Sequence, residues 1–371
     1  MPRTWFVAVL IAWCGAVRAE TVIVATYNVE HFQEHFLAHD LAAKLPKEVA
    51  DPALKELLAA ERHNNDKANW EVAQVIADPA FSPDVLAIEE GPSQSNLDYF
   101  NKRWLDGAYE TAITFPTNTG DRQQNLCLLL KPGFKVLEKR DQHYLDKDPV
   151  PNPRGDRLFA RGPGFCLVQS PGGFRFWVGV THQKSKVAFL SDEEVQKIRD
   201  ANPGATRQRI NDKIAEAKAG RAVEDAGRRD REARRTHEIM KELAAAGTTG
   251  GTAGVVLLGD MNDEIGLDDA EKQAGADAVA GLVGPAADGF VLATKPLVDK
   301  GEFSFGGYWK TDHRSLIDHV VVTPALKDRV REAQVFKGGL TRVASDHYPV
   351  FVKLQTDGPA AGALKDGKPS K

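Results

Sequence analysis

Short apolar runs, bounded by glycine, proline or polar residues, recur along the chain, and several end on an acid or amide. Residues 21–27 (TVIVATY) form a near-continuous β-branched run ending at Asn28. Residues 84–88 (DVLAI) deliver Glu89 and Glu90, and residues 255–259 deliver Asp260 and Asn262. Runs this short and this β-branched predict buried strands. The same pattern predicts strands at 111–115, 125–130, 165–169, 174–181, 316–323 and 348–354. Residues 41–76 read as helical with a polar interruption at 63–69, residues 96–105 as a further helix, and residues 184–246 as a highly charged helical stretch. Proline, glycine and aspartate make 141–164 a long loop, 263–300 is loop-rich, and 356–371 reads as a disordered tail. Alternating strands and helices give an α/β class. No repeat and no linker divides residues 20–355, so they read as a single domain with a charged insertion at about 184–246.

Polar residues gather where the predicted strands end. Side chains two apart on an extended backbone point the same way, so Asp260 and Asn262 can share a target. Asp318 lies inside an apolar strand, where a carboxylate is costly without a partner, and a histidine is the natural one. His319 should face the other side of that strand. His31, His35 and His39 recur at four-residue spacing after Glu30, in a loop or helix bordering the same region.

Composition changes the picture at the N-terminus. Arg3, an apolar run at 5–12 and Val17-Arg18-Ala19 read as a secretory signal cleaved after Ala19, which implies a secreted or periplasmic protein. That run is well short of the roughly 20 residues that span a bilayer, so stable membrane insertion is not expected. Bulky Trp13 before Cys14 argues against lipidation. Loss of Arg3 and Arg18 takes the formal charge from −4 to −6, a balance that argues against a strong non-specific polyanion binder. Residues 183–241 run against it, with 15 Lys and Arg to 11 Asp and Glu. They form either a solvated face or a phosphate contact through Arg228, Arg229, Arg231, Arg234 and Arg235. Cys127 and Cys166 either pair in an oxidising compartment or stay buried as free thiols.

Six segments, in order, resemble the endonuclease/exonuclease/phosphatase superfamily: TYNVE at 26–30, PDVLAIEE at 83–90, VGVTHQKS at 178–185, VVLLGDMND at 255–263, LIDHVVVT at 316–323 and SDHYPVFVKL at 345–354. The resemblance implies a four-layer sandwich, two packed mixed β-sheets flanked by helices. It implies metal contacts at Asn28, Glu30, Glu90 and Asp346, and catalytic roles for His182, Asp260, Asn262, Asp318 and His347. Arg122, Arg161 and Lys184 are expected to bind substrate phosphate. Glu89 and Glu30 depart from the commonest pattern. Oxygen ligands suit Mg²⁺ or Mn²⁺, with Ca²⁺ also compatible. A histidine held by Asp318 suits a general base that activates water, and His182 with Asn262 can donate to non-bridging oxygens. The expectation is a secreted, monomeric, metal-dependent phosphodiesterase, a nuclease acting on nucleic acid. A phosphatase or sphingomyelinase-like phospholipid phosphodiesterase is the alternative, and a non-catalytic binding protein the third reading.

Overall fold

All nine apolar runs form strands in the computed structural model, which describes residues 20–44, 52–120, 124–150, 155–247, 251, 254–306 and 314–356. They are β1 (Thr21–Asn28), β2 (Val85–Gly91), β3 (Thr111–Phe115), β4 (Asn125–Leu130), β6 (Gly164–Gln169), β7 (Arg175–His182), β8 (Val255–Asp260), β10 (Asp318–Val322) and β12 (Val350–Gln355). Three strands were not anticipated: β5 (Lys135–Arg140), β9 (Val291–Leu292) and β11 (Val330–Val335). β5 (KVLEKR) and β11 (VREAQV) are edge strands in which polar and charged residues break up the apolar ones, and β9 is two residues long.

The strands build two six-stranded mixed sheets, ordered β11-β12-β1-β2-β4-β3 and β5-β6-β7-β8-β10-β9. Val22, Val24, Val85, Leu128, Val178, Val256 and Val320 pack between the sheets. The alternate residues face outward. Tyr27, Leu86 and Ile88 pack with Val72 and Ile76 of α2 (Pro52–Ile76) and Leu97 of α3 (Gln94–Trp104). Trp177, Leu257 and Val321 pack with Ile239 and Met240 of α5 (Arg207–Gly247) and Leu282 of α7 (Ala278–Val283). The fold is therefore a four-layer α/β sandwich. Central strands buried on both faces need apolar residues at every position, which is why their sequences read as continuous runs.

The helices depart from the sequence reading in three places. The 41–76 stretch becomes α1 (Leu37–Lys44) and α2, and α2 runs unbroken through 63–69. Its polar residues there do structural work: Asn65 Oδ1 accepts from Ala38 N (3.0 Å), and Asn69 Nδ2 donates to the His35 carbonyl (3.1 Å). The charged stretch is an extended segment over 183–190, then α4 (Asp192–Asp200) and α5. The region 263–300 holds α6 (Asp269–Ala274), α7 and α8 (Lys295–Asp299). Asp268 and Asp277 cap α6 and α7, and a capping box with Glu271 closes α6; these are sequence signals that the apolar pattern does not display.

Cys127 and Cys166 are free and buried, Cys127 in the outer core of one sheet and Cys166 between the sheets. Among the described residues no helix is long and apolar enough to cross a membrane. The signal segment, the tail beyond residue 356 and Arg122 lie outside the described residues.

Candidate active site

Strand register brings the polar strand ends together. Asp260 on β8 stands opposite His182 on β7 and Asp318 on β10, and neighbours at one register present their side chains to the same face. Gly259 permits the approach of β7 and β8: at its φ of +154° a Cβ would lie 1.9 Å from the Thr181 carbonyl oxygen. Asn28, at the end of β1 in the other sheet, bridges the gap by donating from Nδ2 to Asp260 Oδ2 (3.0 Å). Its Oδ1 accepts from Glu30 N (3.0 Å), and Glu90 Oε2 accepts from His31 N (2.8 Å). Asp346 and His347 enter on the segment before β12, where Ser345 Oγ donates to the Asn28 carbonyl (2.8 Å).

Asn28, Glu30, His31, Glu90, His182, Asp260, Asp346 and His347 line one cavity of about 900 Å³, and Asp318 is buried beside His347. His347 Nδ1 and Asp318 Oδ2 are 2.8 Å apart, while Nε2 stands 3.9 Å from both Asp260 Oδ2 and Asp346 Oδ1, beyond hydrogen-bond reach. With Nδ1–H donating to Asp318, the neutral form of the ring carries its lone pair on Nε2. His182 Nε2 lies 3.3 Å from Asp260 Oδ2. Asn262 donates from Nδ2 to the Gln183 carbonyl (3.1 Å), and its N–H donates to Asp260 Oδ1 (2.7 Å). Six described non-glycine residues have positive φ, and four of them, Glu30, His31, Glu90 and Asn262, line this cavity. Backbone strain of that kind concentrates at functional sites.

The charges are arranged unevenly. Burial disfavours the His347 imidazolium, yet Asp318, Asp260 and Asp346 outweigh it and hold the ring well above the usual histidine range. Burial, with the charges of Arg161, His347 and Lys184, keeps His182 well below that range and therefore neutral. Burial and the charge of Asp318 push Asp260 up to about 7. Burial first, then Glu30, Glu90 and Asp318, push Asp346 up to about 6 despite the attraction of His347. Carboxylates crowded beside amide oxygens are a donor set that fits a hard divalent cation. Asp260, Asp318 and His347 also offer ligand atoms that all lie within 4.8 Å of one another.

The family model described as Endonuclease/Exonuclease/phosphatase family matches residues 25–347. The chain belongs to this family. Members are hydrolases acting on phosphoester bonds. Among solved structures, an endonuclease/exonuclease/phosphatase family protein from Bacteroides thetaiotaomicron is 14% identical with a TM-score of 0.51, over 92% of this chain and 100% of its own. A second, from Bacteroides vulgatus, is 13% identical with a TM-score of 0.50, over 91% and 100%. At these identities the likeness is one of fold. No curated protein matches the chain.

The basic residues divide differently from the sequence reading. Arg161 lines the cavity but is buried as a strut. Its guanidinium donates to the carbonyls of His182 (3.3 Å) and Gln183 (2.9 Å) and to Gln124 Oε1 (3.1 Å). Lys184 also reaches the cavity wall, with its ammonium 3.1 Å from Asp225. The α5 arginines offered for phosphate contact are committed elsewhere. Arg229 is buried against Glu271 (2.6 Å), Arg231 binds Asp148 through two nitrogens, and Arg235 pairs with Asp146. Arg234 pairs with Asp230, and Arg228 donates to the carbonyls of Leu158 and Arg157. None of these five lines the cavity. Of the histidine stripe, His31 lines the cavity 3.6 Å from Glu90, His39 stacks on Tyr99, and burial lowers His35 to about 4. His319 faces away, toward Thr294 Oγ1 and the Asp263 carbonyl.

Sequence reasoning missed the cavity's apolar members. Phe305 packs on His347 with ring centroids 5.0 Å apart, and Val187 and Phe189 stand in the wall supplied by the segment after His182. Glu89 stands beside Glu90 in sequence but apart from the cavity lining. It is fully buried behind the site, with Oε1 accepting from Thr26 Oγ1 (2.7 Å).

Proposed function

We propose that this chain is a secreted, divalent-metal-dependent phosphodiesterase that acts on nucleic acid. The observation that carries the reading is His347, whose Nδ1 is engaged by buried Asp318 while the ring lines a cavity that Glu30, Glu90, Asp260 and Asp346 share. Without a cation the surrounding carboxylates favour the imidazolium; the charge of a bound cation would oppose them, and in the neutral ring Nε2 accepts a proton from the attacking water while Asp318 stabilises the imidazolium that results. Neutral His182 and the amide of Asn262 donate hydrogen bonds to the non-bridging phosphate oxygens. Asp260 accepts from Asn28 and Asn262 and so aligns both with His182. Asn28, Glu30, Glu90 and Asp346 would hold Mg²⁺ or Mn²⁺, with Ca²⁺ as a further candidate, and the cation would supply charge neutralisation on the phosphate. Arg161 is assigned to hold the backbone of His182 and Gln183 in place, and Lys184 to bias the wall toward anions.

A cavity of about 900 Å³ has room for groups on both sides of a phosphate, which supports a diester over a small monoester. The test is a substrate panel for the metal-stripped protein resupplied with Mg²⁺ or Mn²⁺: single-stranded and duplex DNA, RNA, sphingomyelin vesicles and inositol phosphates. Cleavage of nucleic acid is expected; an intact panel would refute the hydrolase reading. Secretion is checked by N-terminal sequencing of exported protein, which should begin at Glu20.

A further inference from the structure

We propose that Phe189, with Val187 beside it, is a stacking platform for the nucleobase next to the scissile phosphate, so that the site prefers single-stranded or frayed nucleic acid over intact duplex. This rests on the phosphodiesterase reading of the same cavity. Both side chains line that cavity, yet they are the two most exposed large apolar residues among those described, at 68% and 71%.

Their exposure is built into the segment that carries them. Lys184 N donates to Glu232 Oε2 (2.8 Å), and Lys186 Nζ reaches Asp263 (2.7 Å), Glu271 (2.9 Å) and Asp268 (3.2 Å). Leu190 is buried immediately after Phe189. Ser191 and Glu194 then close a capping box at the start of α4, and Glu194 Oε1 binds Arg221 of α5 at 2.5 Å. The segment is thus anchored before and after the two apolar side chains, which line the cavity. A ring held over an open cavity by its neighbours needs little ordering when a flat ligand arrives.

The uncharged polar lining of the same cavity indicates the ligand. Asn118, Thr119, Gln124 and Ser191 line the cavity with Phe189. An acyl chain laid there would strip water from amides and hydroxyls without replacing their hydrogen bonds. A nucleobase offers a π-face to the phenyl ring and polar edges to the amides. In a duplex both faces of an interior base are already stacked, so an unpaired base is the form that fits.

The experiment is binding in EDTA, where no cleavage occurs, of a fluorescein-labelled oligothymidylate to wild type, Phe189→Ala and Phe189→Trp. Base–aromatic stacking is expected to make the alanine variant about 5- to 150-fold weaker, with tryptophan close to wild type. The added tryptophan emission should be quenched by oligothymidylate and far less by an abasic oligomer of equal length. Equal affinities for wild type and Phe189→Ala, or equal quenching by the abasic strand, would overturn the proposal. So would an emission change with sphingomyelin vesicles alone. Wild-type cleavage of methyl p-nitrophenyl phosphate, which has no nucleobase, is measured in parallel. Its absence would refute the hydrolase reading, while the EDTA binding result still decides the stacking platform.

Discussion

Replacing Asp318 with asparagine isolates the charge behind His347. The amide preserves size but removes the negative charge 2.8 Å from Nδ1, and its NH₂ group can face the ring and favour the wrong tautomer. A hydrogen bond to a charged group contributes about 1.5–3 kcal/mol, which corresponds to roughly a 10- to 150-fold fall in kcat if that interaction is made in full only when His347 is protonated. The same loss lowers the pKa of His347, so the acid limb of the rate profile should move to lower pH. The assay is initial rates on methyl p-nitrophenyl phosphate from pH 5 to 9 at saturating Mn²⁺, with circular dichroism to check folding and calorimetry to check metal affinity. A kcat within twofold of wild type and an unmoved acid limb would refute the Asp318–His347 pairing as the source of base strength. A loss explained wholly by weaker metal binding would instead assign Asp318 to the cation, a role its place among the clustered donor atoms allows.

Three further predictions follow from the same geometry. Burial, reinforced by Asp318 and Asp260, holds Glu89 neutral well above the carboxyl range, against the pull of the Thr26 hydroxyl. The unfolded chain ionises near 4.3, so above that pH folding takes up a proton and stability falls by about 1.4 kcal/mol per pH unit until the folded pKa is reached. Glu89→Gln should therefore raise the Tm of metal-free protein at pH 8 and much less at pH 5; a difference that does not grow with pH contradicts this. Because Asp346 is pushed up to about 6, protons compete with the cation below that pH. Mn²⁺ affinity by calorimetry should be about tenfold weaker at pH 5 than at pH 7, and a flat profile would remove Asp346 from the metal site. Gly259→Ala drives a Cβ into the Thr181 carbonyl and should cost at least about 3 kcal/mol in urea denaturation; a cost under about 1 kcal/mol would show that β7 and β8 are less tightly apposed.

The interior of both sheets was legible because strands covered on two faces leave no polar position, as in VVLLGD of β8. Edge strands such as VREAQV of β11 wet one face and lose that signature. Asp318 was conspicuous as an acid within an apolar run, and its surroundings explain why it persists there: Ser304 Oγ accepts from its N–H, and His347 stands at its carboxylate. The destination of the α5 arginines was not legible. Arg231 and Arg235 are spent on Asp148 and Asp146, more than eighty positions earlier, and charge patterning along a helix says nothing about acids so distant in sequence. The same limit hid Phe189, since its position in the cavity depends on anchors in α5, α6 and the segment after β8.

The most direct measurement is hydrolysis of methyl p-nitrophenyl phosphate by chelator-stripped wild type and His347→Ala, each with and without added Mn²⁺. A metal-dependent rate in wild type that falls by about 10²- to 10⁴-fold in the variant is the predicted result. Equal rates for the two proteins, or a wild-type rate indifferent to the metal, would contradict a cation-assisted hydrolase that uses His347 as its base.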